Sequence, residues 1–194
     1  MPIAQIAEFL IEVDKLKAVL RKTKPAGMER YENSAEHSWQ ICLMALAMEP
    51  YAMEPVQIDR VVRMLLVHDV GEIDAGDVMV YAQVDAAQRT AQELAGVRRV
   101  FSLLPASQAA PFVELWQEFE EARTPESRFA HALDRAMPVF LNLANNGQSW
   151  REHKVSYERV IARLRPEIEA GCPALWSYLE GRLQQALAES WFGA

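Results

Sequence analysis

Apolar side chains recur at steps of three and four along almost the whole chain, and that period commits it to helices packed on helices. Ile3, Ile6, Leu10, Val13, Leu16 and Leu20 keep the step and predict one amphipathic helix. The stretch KTKPAGMERYEN interrupts it, with Pro25 and Gly27 as punctuation. Asn33 and Glu36 are spaced as a capping pair. They open a second helix that runs to about Glu49 and stops at Pro50, with Ile41, Met44, Leu46 and Met48 on its inner face. A third helix starts near Pro55, buries Ile58, Val61, Val62, Leu65 and Leu66, weakens at Gly71 and is finished by Gly76.

A fourth helix is expected from Asp85 to Leu104, and a fifth carries Phe112, Leu115, Trp116 and Phe119. Thr124-Pro125-Glu126 has the N-cap and first-turn proline of a sixth, which passes Phe129, Leu133, Phe140 and Leu141 and ends at Asn145-Asn146-Gly147. Two more helices are predicted around Val155 to Leu164 and Pro173 to Trp191. Alternating runs rich in Val, Ile and Thr are absent, so no sheet is expected. The expected fold class is all-α: one helical bundle in a single domain over 1–194, with a C-terminal helix at 173–191.

The 194 residues suit one compact domain, and 51% apolar with 24% charged residues allows a sizeable core. A net charge of −7 argues against a general nucleic-acid binder and an anionic-membrane binder, while leaving room for a small anionic ligand met by local cations or a metal. No uninterrupted apolar stretch is long enough for a bilayer-spanning helix. The opening MPIAQIAEFLIEVDK has charges too early for a secretory apolar core. Cys42 and Cys172 share no metal-type spacing. A reduced, cytoplasmic setting is expected.

Of four histidines, two stand in unusual places. His37 follows the cap at 33–36 and shares a face with Ile41, Met44 and Met48. His68 ends the run VVRMLLV and is followed at once by Asp69. A charged aspartate at the end of a buried stripe is costly unless something pairs with it, and a divalent cation would relieve both residues. Adjacent helical residues diverge by about 100°, so His68 and Asp69 meet one ion only if it lies between their directions, near a helix end. Further ligands must come from other helices. His37 is one candidate, and Asp134, on the Leu133-Met137-Leu141 side of the sixth helix, is another. Two imidazoles and two carboxylates suit a divalent metal of borderline hardness. Pro138, four residues beyond Asp134, removes a helical N–H partner from the Asp134 carbonyl and predicts a kink.

Asp69, Glu72, Asp74 and Asp77 crowd negative charge into one short stretch, which favours cation binding or proton transfer. Glu72 is one turn beyond His68, and Asp77 stands at the helix exit. His131 and His153 read as structural or surface residues, and the methionines as core filler.

The segments ENSAEHS at 32–38, HDVGEIDAGD at 68–77 and ALDR at 132–135 together resemble the HD superfamily of metal-dependent phosphohydrolases, in its YfbR-type 5′-deoxynucleotidase branch. The similarity covers roughly 16–165. It implies an HD-type all-α fold, often a homodimer, and one divalent metal (Mn, Co, Mg, Ni, Fe or Zn) held by His37, His68, Asp69 and Asp134. It further implies that Glu72 and Asp77 serve catalysis or substrate placement, and that the substrate is a small phosphorylated molecule such as a deoxynucleoside 5′-monophosphate. The family's upstream Arg-Trp pair is not matched: that region reads Arg21-Lys22-Thr23-Lys24-Pro25. Arg30, with Lys22 or Lys24, is therefore the expected phosphate partner, although a lysine lacks the planar fork of arginine. Hydrolysis of a triphosphate or an alarmone is the enzymatic alternative, disfavoured by the lack of an arginine cluster. A helical interaction protein using its metal only for folding is the alternative from another class.

Overall fold

The computed structural model describes residues 2–82 and 85–193. Positions 1, 83, 84 and 194 of the expected 1–194 span lie outside the described residues. In chain order the α-helices are α1 (Pro2–Val13), α2 (Ser34–Met48), α3 (Ile58–Val67), α4 (Glu72–Ala75), α5 (Ala86–Phe101), α6 (Ala106–Glu121), α7 (Pro125–Ala144), α8 (Gln148–Glu152), α9 (Tyr157–Gly171) and α10 (Pro173–Ala188). No strand is formed among the described residues, as the patterning requires.

The centre of the bundle is α7, which lies against α2, α3, α6, α9 and α10. Its sequence explains that position. Phe129, Ala130, Ala132, Leu133, Ala136, Met137 and Val139 are all buried, so the helix is apolar on most sides rather than along one stripe. Thr124 caps it, its side chain accepting from the Ser127 N–H, and Asn145 closes it. The helix continues through Pro138 to Ala144. Asn145 also ties that end to the segment after α1. Its Nδ2 donates to the Lys24 carbonyl (2.8 Å), and its Oδ1 accepts from the Gly27 N–H (3.2 Å).

Three expectations need correction. The first helix stops at Val13 and passes into a 3-10 turn, Asp14–Ala18, so Leu20 does not belong to it. The chain from Val19 is instead extended and pairs with the approach to α2. Arg21 N–H donates to the Glu32 carbonyl (2.9 Å), Glu32 N–H to Thr23 (2.9 Å) and Ser34 N–H to Val19 (3.0 Å). Leu46 on α2 and Leu66 on α3 face outward, about half exposed, while Ala45, Cys42 and Met64 take the inner positions. A three-four period identifies a face but not which of two apolar faces finds a partner. The short α8 was not anticipated. It is built by the Asn142 amide, whose oxygen accepts from the Ser149 N–H (2.9 Å) and the Trp150 N–H (3.3 Å).

Among the described residues, no helix is long and apolar enough to cross a membrane.

Candidate functional site

Helix α2, the turn after α3 and helix α7 bring His37, His68, Asp69 and Asp134 to one point. The Asn33–Glu36 capping box forms as predicted, with the Asn33 side chain accepting from the Glu36 N–H (2.9 Å). It fixes the first turn of α2 and holds His37 fully inside. Helix α3 ends at Val67, and His68 and Asp69 occupy the turn before α4, at a helix end as their divergence demands. Trp116 of α6, itself buried, donates its indole N–H to the His68 carbonyl (2.9 Å). The turn also rests on α5 at very short range. A Cβ on Gly71 would lie 2.6 Å from the Glu93 carbonyl oxygen, and one on Gly96 would lie 2.9 Å from the Gly71 oxygen. Asp134 enters from the middle of α7.

His37, His68 and Asp69 are buried and offer ligand atoms within 4.8 Å of one another. Asp134 completes the group: its Oδ1 lies 2.9 Å from His37 Nε2 and 3.7 Å from His68 Nε2. His68 Nε2 is 3.0 Å from Asp69 Oδ1. His68 Nδ1 faces the Leu65 carbonyl at 2.9 Å, and a carbonyl only accepts, so Nδ1 carries the ring proton. Nε2 is left buried, without a hydrogen bond among the described residues, and aimed between two carboxylates. A lone pair and two anions converging in a dry place suit a cation, and this donor chemistry fits a divalent metal.

The same two carboxylates draw positive charge to the His68 nitrogen, be it a proton or a metal ion. Burial opposes charge on His68, yet Asp69 and Asp134 push its pKa up to about 9. Burial and Arg21 pull His37 down to about 4, so it stays neutral, the form that ligates metal. Burial also opposes charge on Asp134, but Arg135 and the two histidines hold its carboxyl well below the usual range.

A cavity of about 370 Å³ opens beside this cluster, lined at one end by Asp69, Glu72, Asp77 and Asp134. Glu72 is buried and accepts from the Ser34 hydroxyl (2.7 Å). Burial first, then the Asp69 charge, holds its carboxyl well above the ordinary range. Asp77 is raised by the same two effects.

The cations fall differently from expectation. Arg30 lies at the surface, clamped by both Glu36 oxygens (2.8 and 2.7 Å), and does not line the cavity. Lys24 also lies off the cavity, bonded to Glu29 (3.2 Å), because the loop that carries it is fastened to Asn145. Lys22 reaches the rim. Arg21, instead, lies inside, 2.9 Å from Asp69 Oδ2 and 3.6 Å from Asp77 Oδ1. The signal for it was a period of two. In an extended segment Arg21 and Thr23 share the inner side and Lys22 the outer. Arg89, Arg135 and Arg163 line the cavity too, so the expected lack of an arginine cluster does not hold.

Comparison with known proteins adds three findings. Residues 13–176 match the HD domain family. The human 5′-deoxynucleotidase HDDC2 is 28% identical over 131 residues, covering 67% of this chain and 63% of that protein. Its Bos taurus counterpart is 29% identical over 131 residues, covering 67% and 62%. The chain thus spans less than two thirds of the length of these relatives. The crystal structure of a predicted metal-dependent phosphohydrolase from Magnetospirillum magnetotacticum superposes with a TM-score of 0.91 at 41% identity, over 100% of this chain and 99% of that one.

Proposed function

The chain belongs to the HD-domain family, and on that premise we propose that it is a metal-dependent phosphohydrolase releasing phosphate from deoxynucleoside 5′-monophosphates or similarly small phosphate esters. The observation that carries this reading is the buried, unbonded Nε2 of His68, aimed between Asp69 and Asp134 at the wall of the cavity. The relatives named 5′-deoxynucleotidase and the metal-dependent phosphohydrolase of like fold support it. A divalent ion held by His37, His68, Asp69 and Asp134 supplies Lewis acidity toward water and a phosphoryl oxygen. The two imidazoles favour Zn, Fe, Ni or Co, and the two carboxylates extend the candidates to Mn and Mg.

The chain's own groups divide the remaining work. Arg21, whose Nη1 lies between Asp69 and Asp77, meets the phosphate charge, with Lys22 at the rim as a point charge. Glu72 is held by Ser34, and burial with the nearby Asp69 charge favours its protonated form. It serves to orient the attacking water or to pass that proton to the departing 5′ oxygen. Asp77 positions the sugar. Val80, Tyr81, Trp150 and Leu164, which also line the cavity, offer a mostly apolar seat for a planar base.

Arg89, Arg135 and Arg163 are each bound to a carboxylate, Glu93, Asp134 or Glu167. A cytoplasmic setting and a homodimer belong to the same reading. Cys42 and Cys172 are unpaired and buried, and Trp39, Leu43 and Leu46 make an exposed apolar stripe on α2.

The test is phosphate release from a panel of nucleoside mono- and triphosphates. Chelated protein should be inactive, and a divalent ion should restore monophosphate cleavage. Cleavage by metal-free His68→Ala protein at the rate of the loaded parent refutes the scheme.

A further inference from the structure

Glu167 lies on α9, outside every motif quoted above and outside the cavity lining. Its carboxylate nonetheless reaches the proposed ligand set by two routes. On the first, Arg135 Nε donates to Glu167 Oε2 (2.7 Å) while Arg135 Nη1 donates to Asp134 Oδ2 (2.8 Å). Asp134 is thereby held by one oxygen, and its other oxygen is turned toward His37 and His68. On the second, His131 Nδ1 lies 3.8 Å from Glu167 Oε2. The His131 ring stacks on Phe119 with centroids 4.1 Å apart, and Phe119 packs on the His68 ring at 5.1 Å. The far end of His131 is fixed as well, with Nε2 2.7 Å from the Phe119 carbonyl. Glu167 itself is steadied through its second oxygen by Arg163, one turn earlier on α9.

We propose that Glu167 is a positioning residue for the metal-ligand set, acting through Arg135 on Asp134 and through His131 and Phe119 on His68. The inference rests on the metal-dependent reading above. The physical reason is that a carboxylate ligand has rotational freedom that must be frozen to bind well. Partners one bond removed from a metal commonly control affinity about 10- to 100-fold. Arginine is required in the strut because its fork serves two carboxylates at once, which an ammonium on a flexible stem does not do in fixed geometry.

The experiment uses the full chain, stripped of metal and titrated with Co²⁺. It is read by calorimetry and by the visible absorption of the ion, which reports ligand geometry. Glu167→Ala and Arg135→Lys should each weaken Co²⁺ binding about 10- to 100-fold and alter the absorption band. The double variant should lose no more than the worse single, since both changes break one strut. Glu169→Ala, which removes an exposed pair with Arg165 on the same helix, should bind as the parent does. Should Glu167→Ala fail to fold, Glu167→Gln and Arg135→Lys carry the same comparison. Parent-like affinity and absorption in folded Glu167 and Arg135 variants, or additive losses in the double variant, overturn the proposal. A parent protein that binds no divalent ion overturns the metal-dependent reading itself.

Discussion

Two buried tryptophans allow one hydrogen bond at the site to be weighed. Trp116 and Trp176 are both almost fully enclosed, at 1% and 2% exposure. Trp116 donates its indole N–H to the His68 carbonyl at 2.9 Å, whereas the Trp176 N–H has no hydrogen-bond partner among the described residues. Replacing either by phenylalanine removes the same ring atoms and leaves a similar void, so the packing loss is shared. Trp116→Phe also strands a buried carbonyl, a cost of roughly 1–3 kcal/mol. Trp176→Phe removes a buried donor that was satisfied by nothing, and so carries no such penalty. The difference between the two variants should therefore be about 1–3 kcal/mol in favour of Trp176→Phe. At roughly 2–4 °C per kcal/mol for a chain of this size, the melting temperatures should separate by about 2–12 °C. Urea unfolding of both metal-free variants, with equal slopes in denaturant, gives the comparison. If Trp116→Phe is no less stable than Trp176→Phe, the indole bond does not hold the His68 turn.

Two further expectations follow from particular contacts. Burial opposes charge on Glu167, but His131, Arg135 and Arg163 outweigh it and bring its pKa from 4.5 to about 2. A group depressed in the fold contributes stability above its unfolded pKa and loses it as pH falls through the folded one. The urea midpoint of the parent should therefore drop more than that of Glu167→Gln between pH 5 and 2, and parallel curves would contradict the assignment. Gly71→Ala drives a Cβ against the Glu93 carbonyl, backbone that cannot rotate away, and should cost about 1–3 kcal/mol in thermal melts. An unchanged melting temperature would mean that α5 does not press on the turn.

What the sequence revealed follows the range of the interactions involved. The Asn33–Glu36 box, the Thr124-Pro125 start and the Asn145–Gly147 stop are set by neighbours a few residues apart, and each forms as read. The positions of His37, His68, Asp69 and Asp134 were legible because buried polar residues at apolar helix positions have few satisfactory partners except one another. Arg21 was missed because its inward direction comes from pairing 19–23 with 32–34, a contact no helical period announces. Arg30 was expected at the phosphate in place of the unmatched Arg-Trp pair, yet Glu36, in the first turn of α2, claims it first. Leu46 and Leu66 were placed inside because both helices carry more apolar positions than the bundle can cover. The Glu167 strut required knowing that α9 lies along α7, which is a property of packing.

Asn145 joins two things usually treated as separate: the last turn of the central helix and the slack of a surface loop. One amide grips the Lys24 carbonyl and the Gly27 N–H together. Fraying of the helix terminus would therefore release two of the loop's tethers at once. The loop's near edge carries Arg21, so disorder introduced at position 145 reaches the guanidinium along the backbone without altering any residue that lines the cavity wall beside it.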